Sequence, residues 1–213
     1  MKTGRTEHID QIPGVRRIEN FEKDEMKGLA IELTHAVYPH EEMFGRFCTI
    51  HEYVDCPPKD VFDYLADVNM LEEWTYSLRD FSQVDGQCLI AATDRIDDRT
   101  KIYCKVLANE SALTVDYHCA WDQPGELWMI YLMRIVPAEL VLKKPGSVII
   151  WTNCHHPYYD QNPFPAATPP GRKIWVGDLW PLFYAGHWVE MQNLKHILEA
   201  RHRRTRAKEE GGR

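Results

Sequence analysis

The chain has 213 residues, 44% of them hydrophobic, enough to bury one sizeable core and to exclude global disorder. Its formal net charge of −7 argues against a general nucleic-acid binder, and no stretch approaches the roughly 18 consecutive apolar residues of a membrane span. In chain order, residues 1–45 read as an N-terminal extension, partly helical. Met26, Leu29, Ala30, Leu33 and Val37 form an apolar stripe over 22–37, which Pro39 ends. A single domain is expected over 46–203. Its first strand, 47–54, is stopped by Pro57-Pro58. A short helix over 59–66 turns Val61, Phe62 and Leu65 inward, and a second follows over 67–73. Strands at 78–84 and 87–93 flank Asp85-Gly86, a hairpin signal. Further strands are predicted at 101–107, 113–119, 127–136 and 147–154, punctuated by Pro124-Gly125 and Pro145-Gly146. This hairpin-like spacing is unlike βαβ architecture.

A Pro-rich insertion over 155–177 is longer than an ordinary connection. Tyr158, Tyr159, Phe164 and Trp175 give it apolar anchors, and it is expected to pack near a cavity mouth. The helical period returns after Asp178. Phe183, His187, Met191, Leu194 and Leu198 then line one face of a helix spanning 179–203. A basic tail over 204–213 completes the chain. The N-terminus, Met1-Lys2-Thr3-Gly4-Arg5 followed by polar residues, lacks the apolar core of a signal peptide. The six cysteines, Cys48, Cys56, Cys88, Cys104, Cys119 and Cys154, are scattered through predicted strands and read as free thiols. A cytoplasmic location is therefore expected.

The run Cys56-Pro57-Pro58-Lys59-Asp60-Val61-Phe62-Asp63-Tyr64-Leu65-Ala66-Asp67 resembles the "small residue, Pro, VFxxLxD" start of the START-like helix-grip superfamily (SRPBCC). Asn69-Met70-Leu71-Glu72-Glu73-Trp74 resembles the N-x-x-x-x-W segment that follows it. The resemblance covers 47–154 and 178–203. The N-terminal extension and the insertion depart from the short family pattern. The resemblance implies an α+β helix-grip fold: a curved antiparallel sheet wrapped around a long C-terminal helix, with two short helices after the first strand. A ligand cavity would lie between sheet and helix. The superfamily includes polyketide cyclase/dehydrase-like proteins, hydrolases, hormone receptors and lipid carriers. The implied activity is that of a cofactor-independent cyclase or dehydratase, acting by general acid/base chemistry on a hydrophobic aromatic or polyketide-type molecule. The alternatives are non-catalytic binding, transport or sensing of such a molecule, and a structural module with a collapsed cavity. A homodimer stays open as the oligomeric state.

Within such a cavity His187 and Glu190, three apart on the last helix, suit a base and its orienting carboxylate. The plainer reading is a rim histidine beside a solvated glutamate. Asn153 and Tyr76 are candidate donors. Trp74, Trp128, Trp151, Phe183 and Met191 offer apolar or stacking contacts. Asp116 and His118 share one strand parity, His155 shares a face with Trp151 and Asn153, and Arg134 could hold an anionic oxygen. Cys154-His155-His156 alternates faces, and no CxxC, HExxH or comparable metal-ligand spacing appears in the chain, so no metal is expected. No phosphate loop or nucleotide signature appears, and no cofactor is expected.

Overall fold

Pro57 and Pro58 lack the N–H that a strand ladder needs, so β1 (Phe47–Val54) ends before them and Pro58 opens α2 (Pro58–Ala66). The Asp67 carboxylate accepts from Asn69 N at 3.0 Å and starts a 3₁₀ turn, which runs into α3 (Leu71–Trp74). The meander that follows is β2 (Leu78–Gln83), β3 (Ile90–Asp94), β4 (Lys101–Asn109), β5 (Thr114–Trp121), β6 (Met129–Pro137) and β7 (Ser147–Cys154). The computed structural model describes residues 8–37, 47–84, 88–172 and 179–211, with the side chains of 34–37 and 181 left aside.

All seven strands form one antiparallel sheet in the order β1-β7-β6-β5-β4-β3-β2. The chain starts at one edge, crosses through α2 and α3 to the other, and returns strand by strand to β1. The Asp85-Gly86 turn lies outside the described residues, but the antiparallel pairing of Gln83 with Ile90 is the hairpin it signals. The short helix α4 (Ala138–Leu142), between β6 and β7, was not expected. Its five residues are too few to show a helical period.

α1 (Lys23–Val37) and α5 (Trp180–Gly211) complete the structure. α5 runs eight residues beyond the predicted end at 203, so the described part of the basic tail is helical. Pairs such as Arg206–Glu210, 3.7 Å apart at i,i+4, favour this continuation. The apolar stripe read from the sequence packs as expected, with Met191, Leu194 and Leu198 buried against the sheet. The helix-grip fold is thus present, a curved antiparallel sheet around α5.

The N-terminal segment belongs to the core. Ile9, Ile12 and Val15 join the same buried cluster as the sheet and α5. Buried Arg17 meets Asp10 at 2.9 Å and donates to Glu72 O at 3.2 Å. Glu19 holds the buried Arg79 through contacts of 2.5 and 2.6 Å. Burial alone would raise the Glu19 carboxyl, but the Arg79 fork outweighs it and holds the group below its ordinary range.

Glu73 is 3% exposed and receives both of its Arg201 contacts, 2.8 and 2.7 Å, from one guanidinium nitrogen, with the Tyr64 hydroxyl 2.9 Å away. Arg201→Met keeps the stem but leaves a buried carboxylate without its cation. We expect a loss of about 3 kcal/mol in urea unfolding, since such a charge is left uncompensated. The double change with Glu73→Gln should recover part of that loss.

Candidate ligand cavity and active site

β-strand alternation decides which side chains face α5. On β5 the inward parity is Val115, Tyr117 and Cys119, on β6 Met129, Tyr131 and Met133, and on β7 Ile149, Trp151 and Asn153. α5 covers this concave face but does not fill it. A cavity of about 530 Å³ remains, walled by the sheet, α5, the α3–β2 segment and α1. Aromatic rings from five parts of the chain, Trp74, Tyr117, Trp121, Tyr131, Trp151 and Phe183, line it. Gly186 also lines it, and a Cβ built there would meet no atom within 4 Å. From α1 come Met26 and Ala30, with exposed Lys23 and Lys27 where the cavity meets solvent.

Four polar groups stand out on this wall. His187 Nδ1 lies 3.1 Å from Glu190 Oε2, and the other Glu190 oxygen accepts from Tyr76 N at 2.9 Å. The His187 ring sits between Phe183, at 4.4 Å, and Trp151, at 4.8 Å, with Tyr131 edge-on at 5.3 Å. Its Nε2 is buried without a hydrogen-bond partner, as are the Tyr76 hydroxyl and the indole nitrogens of Trp74 and Trp151. Folded proteins leave few buried polar atoms unpaired, and four of them belong to residues around this one cavity. Burial raises the Tyr76 hydroxyl and keeps it protonated, a donor. The fourth group is Asp94, which the sequence reading missed. Its Oδ1 accepts from Ile96 N at 2.9 Å. Burial first, then repulsion from Asp97 and Glu190, raises this carboxyl against the opposing hydrogen bonds from Ile96 and Ser77. The available signal was parity, because Asp94 continues the inward row Ile90, Ala92.

Of the residues singled out from sequence, the fold brings His187, Glu190, Tyr76, Trp74, Trp151 and Phe183 to the cavity. Seven others are not among its lining residues. Asp116, His118 and Arg134 occupy the opposite strand parity, facing away from α5. Met191 points inward but is packed solid in the core. Asn153 is buried beside Tyr159, with neither amide atom in good hydrogen-bond geometry to a protein group. Trp128 lies under the insertion instead, and His155 is the insertion's first residue. Trp128 packs on Tyr159 at 4.8 Å, and the His155 ring stacks on Trp180 at 4.4 Å while meeting Asp160 at 3.1 Å. No three potential metal ligands converge at the cavity among the described residues.

The described part of the insertion backs the same wall. Tyr159 is fully buried against Trp121 and Phe183, and its hydroxyl is 3.4 Å from that of Tyr131. Farther along, Arg172 forms a buried pair with Asp122 and donates to Thr100 Oγ1 at 2.9 Å, which ties the segment to the sheet. Trp175 lies outside the described residues.

A family model described as "Domain of unknown function (DUF8713)" matches residues 45–152. No curated protein matches the sequence. Among solved structures, the Zhui aromatase/cyclase from a Streptomyces species is similar at 14% identity and a TM-score of 0.52, over 76% of this chain and 97% of that one. A protein of Thermus thermophilus, TTHA0849, is similar at 11% identity and a TM-score of 0.51, over 72% and 97%. At these identities the likeness is one of fold. Among the described residues no helix is long and apolar enough to cross a membrane.

Two measurements probe the cavity. Gly186→Leu projects a side chain into open space, so it should abolish uptake of an apolar fluorescent probe without lowering the unfolding midpoint. Asp94 concerns pH. Its folded-state carboxyl is raised above the ordinary 3.8, so between that value and the raised one the folded protein holds more proton than the unfolded chain. Stability therefore falls as pH rises through this window. Asp94→Asn keeps an acceptor for Ile96 N and removes the titration. Its urea midpoint should vary less with pH above about 4 and should equal or exceed the parent's at neutrality.

Proposed function

We propose that this chain, which belongs to the family of the domain of unknown function DUF8713, binds a flat hydrophobic small molecule beneath α5 and carries out cofactor-independent cyclase- or dehydratase-type chemistry on it. The observation that carries the reading is the state of His187. When its Nδ1–H donates to Glu190, Nε2 holds a free lone pair, and that atom is buried with no protein partner on a residue that lines the cavity. Glu190 is itself held by Tyr76 N, so the ring has a set orientation. The aromatic wall suits a planar or polyketide-type substrate, whose shape it would impose.

In this mechanism Nε2 takes a proton from a carbon next to a carbonyl, and the Tyr76 hydroxyl donates to the resulting enolate oxygen. The enolate carbon attacks a second carbonyl of the same molecule, and the proton held on Nε2 passes to that carbonyl's oxygen, which becomes a hydroxyl. Dehydration gives a neighbouring proton to Nε2 while the hydroxyl leaves as water with a proton from the acid, which Nε2 then restores. We assign that protonation to Asp94, a cavity-lining carboxyl that burial raises above the ordinary aspartate range. Asn153, the other donor considered, has no role in this scheme. A carrier of the same ligand is the second reading, favoured by how much of the wall is apolar.

His187→Gln retains a polar side chain and removes the titrating nitrogen. With aromatic and polyketide-type carbonyl compounds as substrates, turnover should fall by about 10²–10⁴-fold while ligand affinity is nearly unchanged. Equal turnover in both proteins would remove His187 from the chemistry. Tight binding with no turnover by the parent across the panel would leave the carrier.

A further inference from the structure

Away from the cavity, three side chains of different chemistry meet where the chain leaves β1, enters α2 and lies beneath the later turns of α5. The Cys56 thiol, a carboxylate oxygen of Asp60 and a ring nitrogen of His202 all lie within 4.8 Å of one another. We propose that they form a binding site for a divalent transition-metal ion, with Zn²⁺ the cation best matched to one sulfur, one nitrogen and one oxygen donor.

The placement is set by the backbone. Cys56 lies just before the Pro57 N-cap and Asp60 in the first turn of α2, so the start of the helix carries the Asp60 carboxylate beside the thiol. The Cys56 main chain is fixed on both sides: its N–H donates to Val54 O at 2.9 Å and its carbonyl accepts from buried Ser147 Oγ at 2.7 Å. His202 comes from α5, 146 positions later. Neither Asp60 nor His202 makes a side-chain hydrogen bond or an ion pair with another described residue. Asp60 would be favoured in the first turn of α2 without any ligand, but that does not account for a thiol and an imidazole converging on it.

The charge around the trio favours a cation. Asp55 and Glu199 add negative field at the sulfur. Nearby Lys195 and Arg203 are already engaged with Glu199, at 3.3 and 3.7 Å, and Lys59 with Asp63 and Glu110. Metal binding would break the Cys56 S–H bond, form a metal–sulfur bond and release one proton to solvent. Three protein ligands leave a fourth position for water. Asp60 is exposed and gives the ion a way in, whereas Cys56 is buried. The ion would join the start of α2 to α5, the helix that closes the cavity, so binding should stabilise the folded chain.

The test uses the full chain, stripped with chelator and kept reduced, with Co²⁺ as the probe. We expect one equivalent to bind with a near-ultraviolet thiolate-to-cobalt charge-transfer band that Zn²⁺ displaces, and a higher urea midpoint in the presence of Zn²⁺. Cys56→Ser should remove the band. Cys88→Ser, at the exposed cysteine, should leave it intact. Asp60→Asn and His202→Gln alter positions that are not buried, and each should weaken Co²⁺ binding by at least the about 10-fold that loss of an outer-shell partner costs. These two variants keep the test decisive should Cys56→Ser fail to fold. The absence of a band in the parent overturns the site. So does a band that survives Cys56→Ser or disappears with Cys88→Ser, or unchanged affinity in both Asp60→Asn and His202→Gln. None of these outcomes bears on the His187 chemistry.

Discussion

Asn193 is the fully buried amide on which the arrangement of this structure turns. Its oxygen accepts from Arg16 N at 2.9 Å, and its nitrogen donates to Arg16 O at 2.7 Å and to Trp74 O at 3.1 Å. One side chain of α5 thus satisfies main-chain groups of the N-terminal segment and of α3. A buried polar group is costly unless it is paired, and here each pairing joins elements far apart in sequence. The contact to Trp74 sets the position of the α3–β2 segment, and with it Tyr76, whose N–H holds Glu190 one turn before Asn193. The catalytic candidates and the structural anchor therefore share a single stretch of α5.

Beside that anchor lies the cavity. Protein interiors normally close to near-crystalline density, and a persistent void forfeits dispersion contacts along its whole lining. Rings on its wall meet edge to face, as Trp74 does against Trp151 at 5.8 Å. Gly186 adds to the space by omitting a side chain in mid-helix, where glycine costs about 1 kcal/mol relative to alanine.

Segments outside the sheet and α5 complete this enclosure. α1 packs on α5 through Met26 and Ala30 against Ala185 and Val189, while Lys23 donates to Ile96 O at 2.8 Å and bridges to the loop after β3. Tyr159 of the insertion closes the wall from another direction. Both segments bury apolar anchors, which offset the entropy of ordering long irregular stretches.

The sequence by itself determined the elements and their order. Paired prolines bounded β1, Asp85-Gly86 signalled the hairpin of β2 and β3, and the 3.6-residue stripe from Phe183 to Leu198 announced the long helix. These signals are local, since strand parity and helical period follow from backbone geometry alone. Such parity divides each strand into two faces without saying which face is inward. Asp116, His118 and Arg134 could be drawn from the sequence as ligand contacts, and only the sheet's curvature around α5 turned them outward. His187 and Glu190 were legible because one helix positions both. Tyr76 as their main-chain support, Asp94 across the cavity, and the meeting of Cys56, Asp60 and His202 depend on contacts between residues tens to more than a hundred positions apart. Those contacts exist only once the sheet has closed on the helix, and no local periodicity encodes them.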